Sequence, residues 1–353
     1  MSSEFKIQFS GRTYEFEIED SLIFVGGNHY YKREIYKVLK RYFRYGSYSS
    51  LELEFFGTDG ITVHYEGKKL TSKSNDFITI ENLYDITNQF EYKKGTLLFN
   101  KINSLKENFD ISHSLFKVND ALIELEGILN NNITLDNETI NLNFDEFVLE
   151  DIFKNVLNIT HLSNDAEVPT YFLKLENTLK IFIQLIEHRI LTTSNSIWLI
   201  VNNPESFFKN TAFLDFYSEL KRIAEETARL KILTFHFGSV PEYSETLLES
   251  TVLAINTLEQ LPSADTLYKS IARNYPCKLS GSRKNIFDSF YRVSNFIGDN
   301  QLVNYYLVKK DMVLLYVLKD MVGDDSHFDV LDDDLTDLEE EYLKTKEKLK
   351  GKS

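Results

Sequence analysis

The sequence predicts an α/β head with a mixed sheet, interrupted by a helical lobe and followed by a helical extension. Three observations carry this. Ser21 to Tyr45, SLIFVGGNHYYKREIYKVLKRYFRY, reads as strand, glycine turn and helix. Its run Leu22–Val25 is apolar, Gly26 and Gly27 let the backbone turn, and Ile35, Val38, Leu39, Tyr42 and Phe43 recur at helical spacing. Second, SIWLIV (196–201) and KILTFHF (231–237) are continuous apolar runs of the kind buried on both faces of a sheet, with a helical pattern between them. Strand, helix, strand implies a right-handed parallel crossover. Third, helical periodicity fills most of the stretch between these halves. The expected organisation is an α/β head over 1–103 and 193–260, a helical insertion over 104–192, and a helical C-terminal extension with an acidic tail over 261–353.

Taken in order, Phe5, Ile7 and Phe9, then Tyr14, Phe16 and Ile18, alternate around Ser10-Gly11 as a hairpin. The glycine loop and its helix follow. LELEFF (51–56) and ITVHY (61–65) read as a second hairpin around Asp59-Gly60, and Phe77–Ile80 as a further strand. Helices are expected from Thr96, through Leu115–Leu129, from Asp145, and after Pro169 through Ile190, with an extended piece at INLNFDEF. A helix is expected over about 206–230 and a strand at Thr251–Ile255. Helical patterns then run over 264–274, 284–297 and 301–321. Residues 324–341 hold ten acids and no Lys or Arg, and 342–352 hold five lysines, so the chain ends in an acidic helix or tail. Aspartates 332–334 lack the glycine of a helix-loop-helix calcium loop and fit a solvated acidic face better.

Composition narrows the classes. The 353 residues are 42% hydrophobic and 26% charged, ample for a packed core. Cys277 is the only cysteine, which excludes a disulfide framework and cysteine-based zinc sites. MSSEFKIQ lacks the basic-then-apolar pattern of a signal peptide, and no apolar run reaches the ~20 residues of a membrane helix, so a cytoplasmic protein is expected. The net charge of −15 argues against polyanion binding over the whole surface but permits it at a local basic face.

Two features bear on function. Aligned on the phosphate-loop pattern G-x-x-x-x-G-K-[ST], Gly26 takes the first position and Lys32 the lysine position. Tyr31 replaces the second glycine, and Arg33 replaces the hydroxyl that would hold Mg²⁺. The apolar strand that should end in a Mg²⁺-binding Asp ends in Asn202. Gly26, Gly27, Lys32 and Asn202 thus have the frame of a nucleotide site without its chemistry; an ordinary glycine turn fits the first stretch equally. Glu205, isolated in sequence, reads as a surface acid. The second feature is charge. At ~100° per residue, Arg33, Lys37, Lys40 and Arg44 share one side of the helix, with Arg41 at its edge and the apolar residues opposite. A solvated face needs charge, but charge of one sign repels unless something anionic lies along it.

Together these features resemble the family of CRISPR-associated spacer-acquisition (adaptation) proteins that marks type II-A systems, in its long form. The matching stretches are SLIFVGGNHYYKREIYKVL, DALIELEGILNN, INLNFDEFVLEDIFKNVLNI, SIWLIVNNPESFF and KILTFHFG, within residues 1–260. The resemblance implies a degenerate P-loop head of the recombination and chromosome-structuring ATPase type, with no working nucleotide site. It implies a homotetrameric ring with a lysine-lined hole that encircles double-stranded DNA and loads at ends. It also implies calcium, through acids near the helical lobe, for which Asp145, Glu146, Glu150 and Asp151 are the matching candidates; acids opening a helix also complement its dipole without a metal. Implied partners are the integrase complex and the RNA-guided nuclease of the same system, and no membrane. Lys32, Arg33, Lys37, Lys40, Arg41 and Arg44 are the expected DNA contacts, joined by Lys68, Lys69, Lys93 and Lys94. Competing readings are an active chromosome-structuring ATPase, opposed by Arg33 and Asn202; a nuclease, for which no carboxylate pair stands out; and an acidic scaffold that binds no DNA.

Overall fold

The computed structural model describes residues 3–44, 46–133, 140–163, 166–279, 281–298, 306–324, 329–331 and 336–350. The chain divides into two units: Met1–Asn82 with Ser194–Ser353, and Leu83–Thr193.

The first unit opens with the expected hairpin, β1 (Ser3–Phe9) and β2 (Arg12–Ile18). β3 (Ser21–Val25), buried at every position, feeds the glycine turn and α1 (His29–Phe43). The stretch 50–56 is α2 (Ser50–Phe56), a helix where a strand was expected. Its alternating apolar residues suit a strand, but Ser49 and Glu52 form a reciprocal capping box that satisfies the amides of a helical first turn. β4 (Thr62–Tyr65) therefore pairs with β1, not with 51–56, and then with the two-residue β5 (Lys68–Lys69). β6 (Asn75–Ile80) completes this half as a parallel strand beside the later apolar run.

The second unit holds α3 (Leu83–Thr87), α4 (Leu97–Asn103), α5 (Phe109–Asn132), α6 (Leu149–Asn155), the hairpin β7 (Thr160–Ser163) and β8 (Ala166–Pro169), and α7 (Leu175–Thr192). It begins at Leu83 rather than 104 because α3 and α4 pack on α7. Residues 145–148 are not helical, so α6 starts four residues later than the helix expected from Asp145. Pro169 ends β8 instead of opening a helix.

Back in the first unit come β9 (Ser196–Asn202), α8 (Asn210–Thr227), β10 (Leu230–Phe235), β11 (Thr251–Ala254) and β12 (Leu258–Gln260). α9 (Ala264–Asn274), α10 (Arg283–Val293), β13 (Tyr306–Val308), α11 (Lys309–Val322), β14 (Asp329–Leu331) and α12 (Asp337–Lys350) follow. These C-terminal helices belong to the head's own unit and are not a separate module. Residues 306–308, expected in a helix, form β13. Aspartates 332–334 lie outside the described residues.

The main sheet has the order β12-β11-β3-β10-β9-β6, parallel except for β12. The chain leaves β3 toward the β6 edge and later crosses back past it to β11. That reversal places a crevice at the carboxyl end of β3, where open α/β sheets receive ligands. Phe24 and Phe235 stack at 4.3 Å, Phe5 stacks on Trp198 at 5.1 Å, and Phe43 on Phe77 at 4.0 Å, so one aromatic core joins α1, the sheet and the hairpin. Ile35, Tyr36, Val38, Leu39, Tyr42 and Phe43 bury this face of α1. At about 1.5–3 kcal/mol per buried side chain, the core contact far exceeds any surface ion pair, worth about 0–1 kcal/mol. Core packing therefore sets the rotation of α1, and the basic stripe is left on its outer side.

Candidate nucleic-acid interface

α1 starts at Asn28, whose side-chain oxygen accepts the Tyr31 amide at 3.3 Å. Of the six cations expected to contact DNA, Arg33, Lys37 and Arg44 are exposed. They fall within about 40° of one another around the helix axis. Lys40 is ion-paired with Glu81, which also accepts the Tyr36 hydroxyl. Burial pushes the Glu81 carboxyl up, but Lys40 and Tyr36 outweigh it and the net shift is downward. Arg41 grips Glu52 through two nitrogens, donates to the Ser47 carbonyl at 3.0 Å and lies 4.5 Å from the Tyr48 ring centre. The same contact, with the Ser49 amide, brings Glu52 down to about 2. These two cations hold neighbouring parts of the head in place as well as adding to the stripe. Lys68 and Lys69 on β5 are exposed, as are Lys93 and Lys94 in the second unit.

Lys32 is not on this surface. Its side chain is fully buried. Nζ donates to the His236 carbonyl at 2.5 Å and to Asn295 Oδ1 at 3.0 Å, and stands 5.0 Å from the Phe237 ring centre. At ~100° per residue it falls between Leu39 and Phe43 on the buried face of the helix.

The glycine loop explains where Lys32 goes. Gly26 has φ +103°, and a Cβ there would stand 2.6 Å from the Ala254 nitrogen and closer still to its carbonyl oxygen. The Gly26 amide donates to Asn295 Oδ1 at 2.8 Å, the Gly27 amide to the Ile297 carbonyl at 2.6 Å, and the Asn28 amide to the Ala254 carbonyl at 3.1 Å. Amides that would wrap a phosphate in a working loop thus have acceptors from the chain itself. Asn202 ends β9 as expected, with Oδ1 buried and unpartnered. Glu205 is not the surface acid expected. It accepts the Phe237 amide at 2.5 Å and the Gly238 amide, and meets His236 Nδ1 at 3.1 Å. Burial pushes its carboxyl up, but His236 and the amides pull harder and leave it below the ordinary value. His236 Nε2 meets the Tyr243 hydroxyl at 2.7 Å, and burial keeps that phenol protonated by pushing it well up.

The four candidate metal ligands do not converge. Asp145 and Glu146 are exposed on the non-helical segment before α6, Glu150 is paired with Lys106, and Asp151 sits in the first turn of α6. Among the described residues no group of three or more His, Cys, Asp or Glu side chains is placed to hold a metal ion. No helix among the described residues is long and apolar enough to cross a membrane.

Sequence reasoning missed Asn295, Ile297 and His236. No local signal marks them: Asn295 lies 263 residues from Lys32, and a buried asparagine among helical residues reads like any other.

Residues 9–330 match the family model described as CRISPR-associated protein Csn2, subfamily St. Among solved structures, the crystal structure of Stu0660 of Streptococcus thermophilus is similar, with a TM-score of 0.78, 19% sequence identity and coverage of 97% of this chain and 99% of that one. No curated protein matches the sequence.

Proposed function

The chain belongs to the St subfamily of Csn2, the CRISPR-associated, non-catalytic ring proteins that bind double-stranded DNA in spacer acquisition, and on that premise we propose how this chain does so. The exposed stripe Arg33, Lys37 and Arg44, with Lys40 and Arg41 behind it, lies along the phosphate backbone. The observation that carries the reading is this run of one-sign charge on a rigidly packed helix, in a chain of net charge −15. Phosphate contacts position a duplex without reading it, so binding ignores sequence. Lys68 and Lys69 add exposed positive charge in the same unit, and Lys93 and Lys94 are further candidate contacts in the second unit.

The head is a degenerate P-loop ATPase-like fold. The switch point at β3, the glycine turn and the strand ending at Asn202 support that reading. Nucleotide has no part in it, because the loop amides and Lys32 are already provided with acceptors.

The ring is a homotetramer, and α5 supplies part of its contacts. Its 24 residues include none that are buried, and Phe109, Phe116 and Ile123, spaced by seven, are 79%, 62% and 68% exposed. An apolar stripe of that kind marks an interface. Calcium would be held through Asp145, Glu146, Glu150 and Asp151, near the helical lobe. The DNA taken is a duplex end, and the partners are the integrase complex and RNA-guided nuclease of the same system.

Reversing Arg33, Lys37 and Arg44 to Glu tests the DNA surface. The variant should keep its circular dichroism and solution mass but lose duplex retention in a gel. For wild type, each phosphate contact adds about 0.9 to the salt slope of binding. Unchanged affinity at low salt would remove α1 from the interface.

A further inference from the structure

We propose that Asn295 is the positioning residue of the DNA-binding helix. The C-terminal part of the chain, through this side chain, takes the place of a phosphate as the group that orders the glycine loop and fixes the start of α1. This rests on the reading of α1 as the DNA-contacting helix.

Asn295 lies in a short turn, Ser294–Phe296, just after α10, and is buried. Both ends of its amide are used. Oδ1 accepts from the Gly26 amide and from Lys32 Nζ, at 2.8 and 3.0 Å, and Nδ2 donates to the Gly238 carbonyl at 2.6 Å. One side chain thereby links the loop after β3, the buried lysine in the first turn of α1 and the loop after β10. Two residues on, the Ile297 carbonyl takes the Gly27 amide.

The far side of the same segment is anchored too. The Gly298 amide donates to Asp324 Oδ2 at 2.7 Å, and Asp324 pairs at 3.2 Å with Lys319, fully buried in α11. A Cβ at Gly298 would come within 2.9 Å of Ile255 Cα, so a glycine lets the segment lie directly on the end of β11. The Ile255 carbonyl in turn accepts Asn28 Nδ2 at 2.7 Å, at the cap of α1. α11, the 294–298 segment, β11 and the start of α1 thus form one chain of contacts.

The energetics favour a linkage over a vacancy. Without Oδ1 the buried Gly26 amide would lose its acceptor, at a cost of about 1–3 kcal/mol, and Lys32 Nζ would lose one of its acceptors. In a nucleotide-binding protein the anion supplies the acceptors. Here a neutral amide oxygen does so permanently, and Arg33, the residue after Lys32, inherits the fixed geometry. Loosening the turn would splay the first cation of the stripe from Lys37 and Arg44 and spoil their common line.

The test uses the full-length chain with Asn295→Leu, which removes both polar ends, and Asn295→Asp, which keeps the acceptor beside Lys32. Hydrogen exchange of the peptide spanning 21–33 and affinity for linear duplex are read together, with circular dichroism and solution mass as controls. Asn295→Leu should exchange at least tenfold faster in that peptide and bind duplex about tenfold more weakly, with the fold retained. Asn295→Asp should stay within about threefold of wild type on both. Should Asn295→Leu not fold, Asp324→Ala, which frees the segment at its far end, is read the same way, with the same direction expected. Wild-type exchange in the variant would overturn the linkage, and faster exchange with unchanged affinity would overturn its role in DNA binding. Protection of the wild-type 21–33 peptide by ATP or pyrophosphate would also overturn it, since an anion would then displace the internal acceptor. If reversal of Arg33, Lys37 and Arg44 leaves affinity unchanged, the DNA reading fails by itself and the exchange result still judges the linkage.

Discussion

At the scale of single residues, the loop between β3 and α1 is decided by one glycine, one lysine and one asparagine. Gly26 combines a left-handed backbone with close approach to Ala254, and either alone penalises a side chain. Gly26→Ala should therefore lower stability by about 3 kcal/mol, read as a fall in the urea midpoint with an unchanged slope. A midpoint equal to wild type would show that β11 yields at no cost. The need for glycine was visible in the sequence because a strand, two glycines and a helix leave few other conformations. Lys32 was visible as the lysine of the motif but not as a buried group. At ~100° per residue it falls between Leu39 and Phe43 on the buried face, and the distant His236 carbonyl and Asn295 Oδ1 accept its ammonium there.

At the scale of elements, α1 and α5 are opposites. α1 is half core and half basic, and its buried face fixes which cations face out. α5 has no buried side at all among its described contacts with its own chain. Such a helix is stable when something covers it. Replacing Phe116 and Ile123 by Ser should leave secondary structure intact but lower the mass found by light scattering, from an assembly toward a single chain. An unchanged mass would place the subunit contact elsewhere. α2 shows how element type can be misread. The alternation of LELEFF and the capping signal Ser49-x-x-Glu52 compete within one stretch, and the hydrogen-bonded cap wins because the hairpin partner it would need, β4, pairs with β1 instead.

At the scale of the whole molecule, an acidic chain must bind an acidic polymer. A local basic helix such as the one proposed here would answer this, and closure into a ring would place several copies of it around one duplex with the remaining acids outward. Entry by threading predicts that linear duplex binds more tightly than a covalently closed circle of the same sequence, and that cutting the circle restores affinity. Equal affinity for both forms would rule out threading. The attraction should also weaken steeply with salt, because the term that holds the protein is counterion release.

Local patterning was enough to read the strand–glycine–helix unit, the apolar strands at 196 and 231 and the basic face of α1. All of these depend on residues within one turn or one strand of each other, where period and propensity dictate conformation. Tertiary structure alone decided that Lys32 is interior, that Glu205 is a half-buried partner of His236, that the C-terminal helices belong to the head, and that Asn295 serves as the loop's ligand. Each of these depends on which distant groups arrive to satisfy a buried donor or acceptor. Hydrogen-bond demand is encoded locally, but its supplier, here more than 260 residues away, is chosen only when the chain is packed.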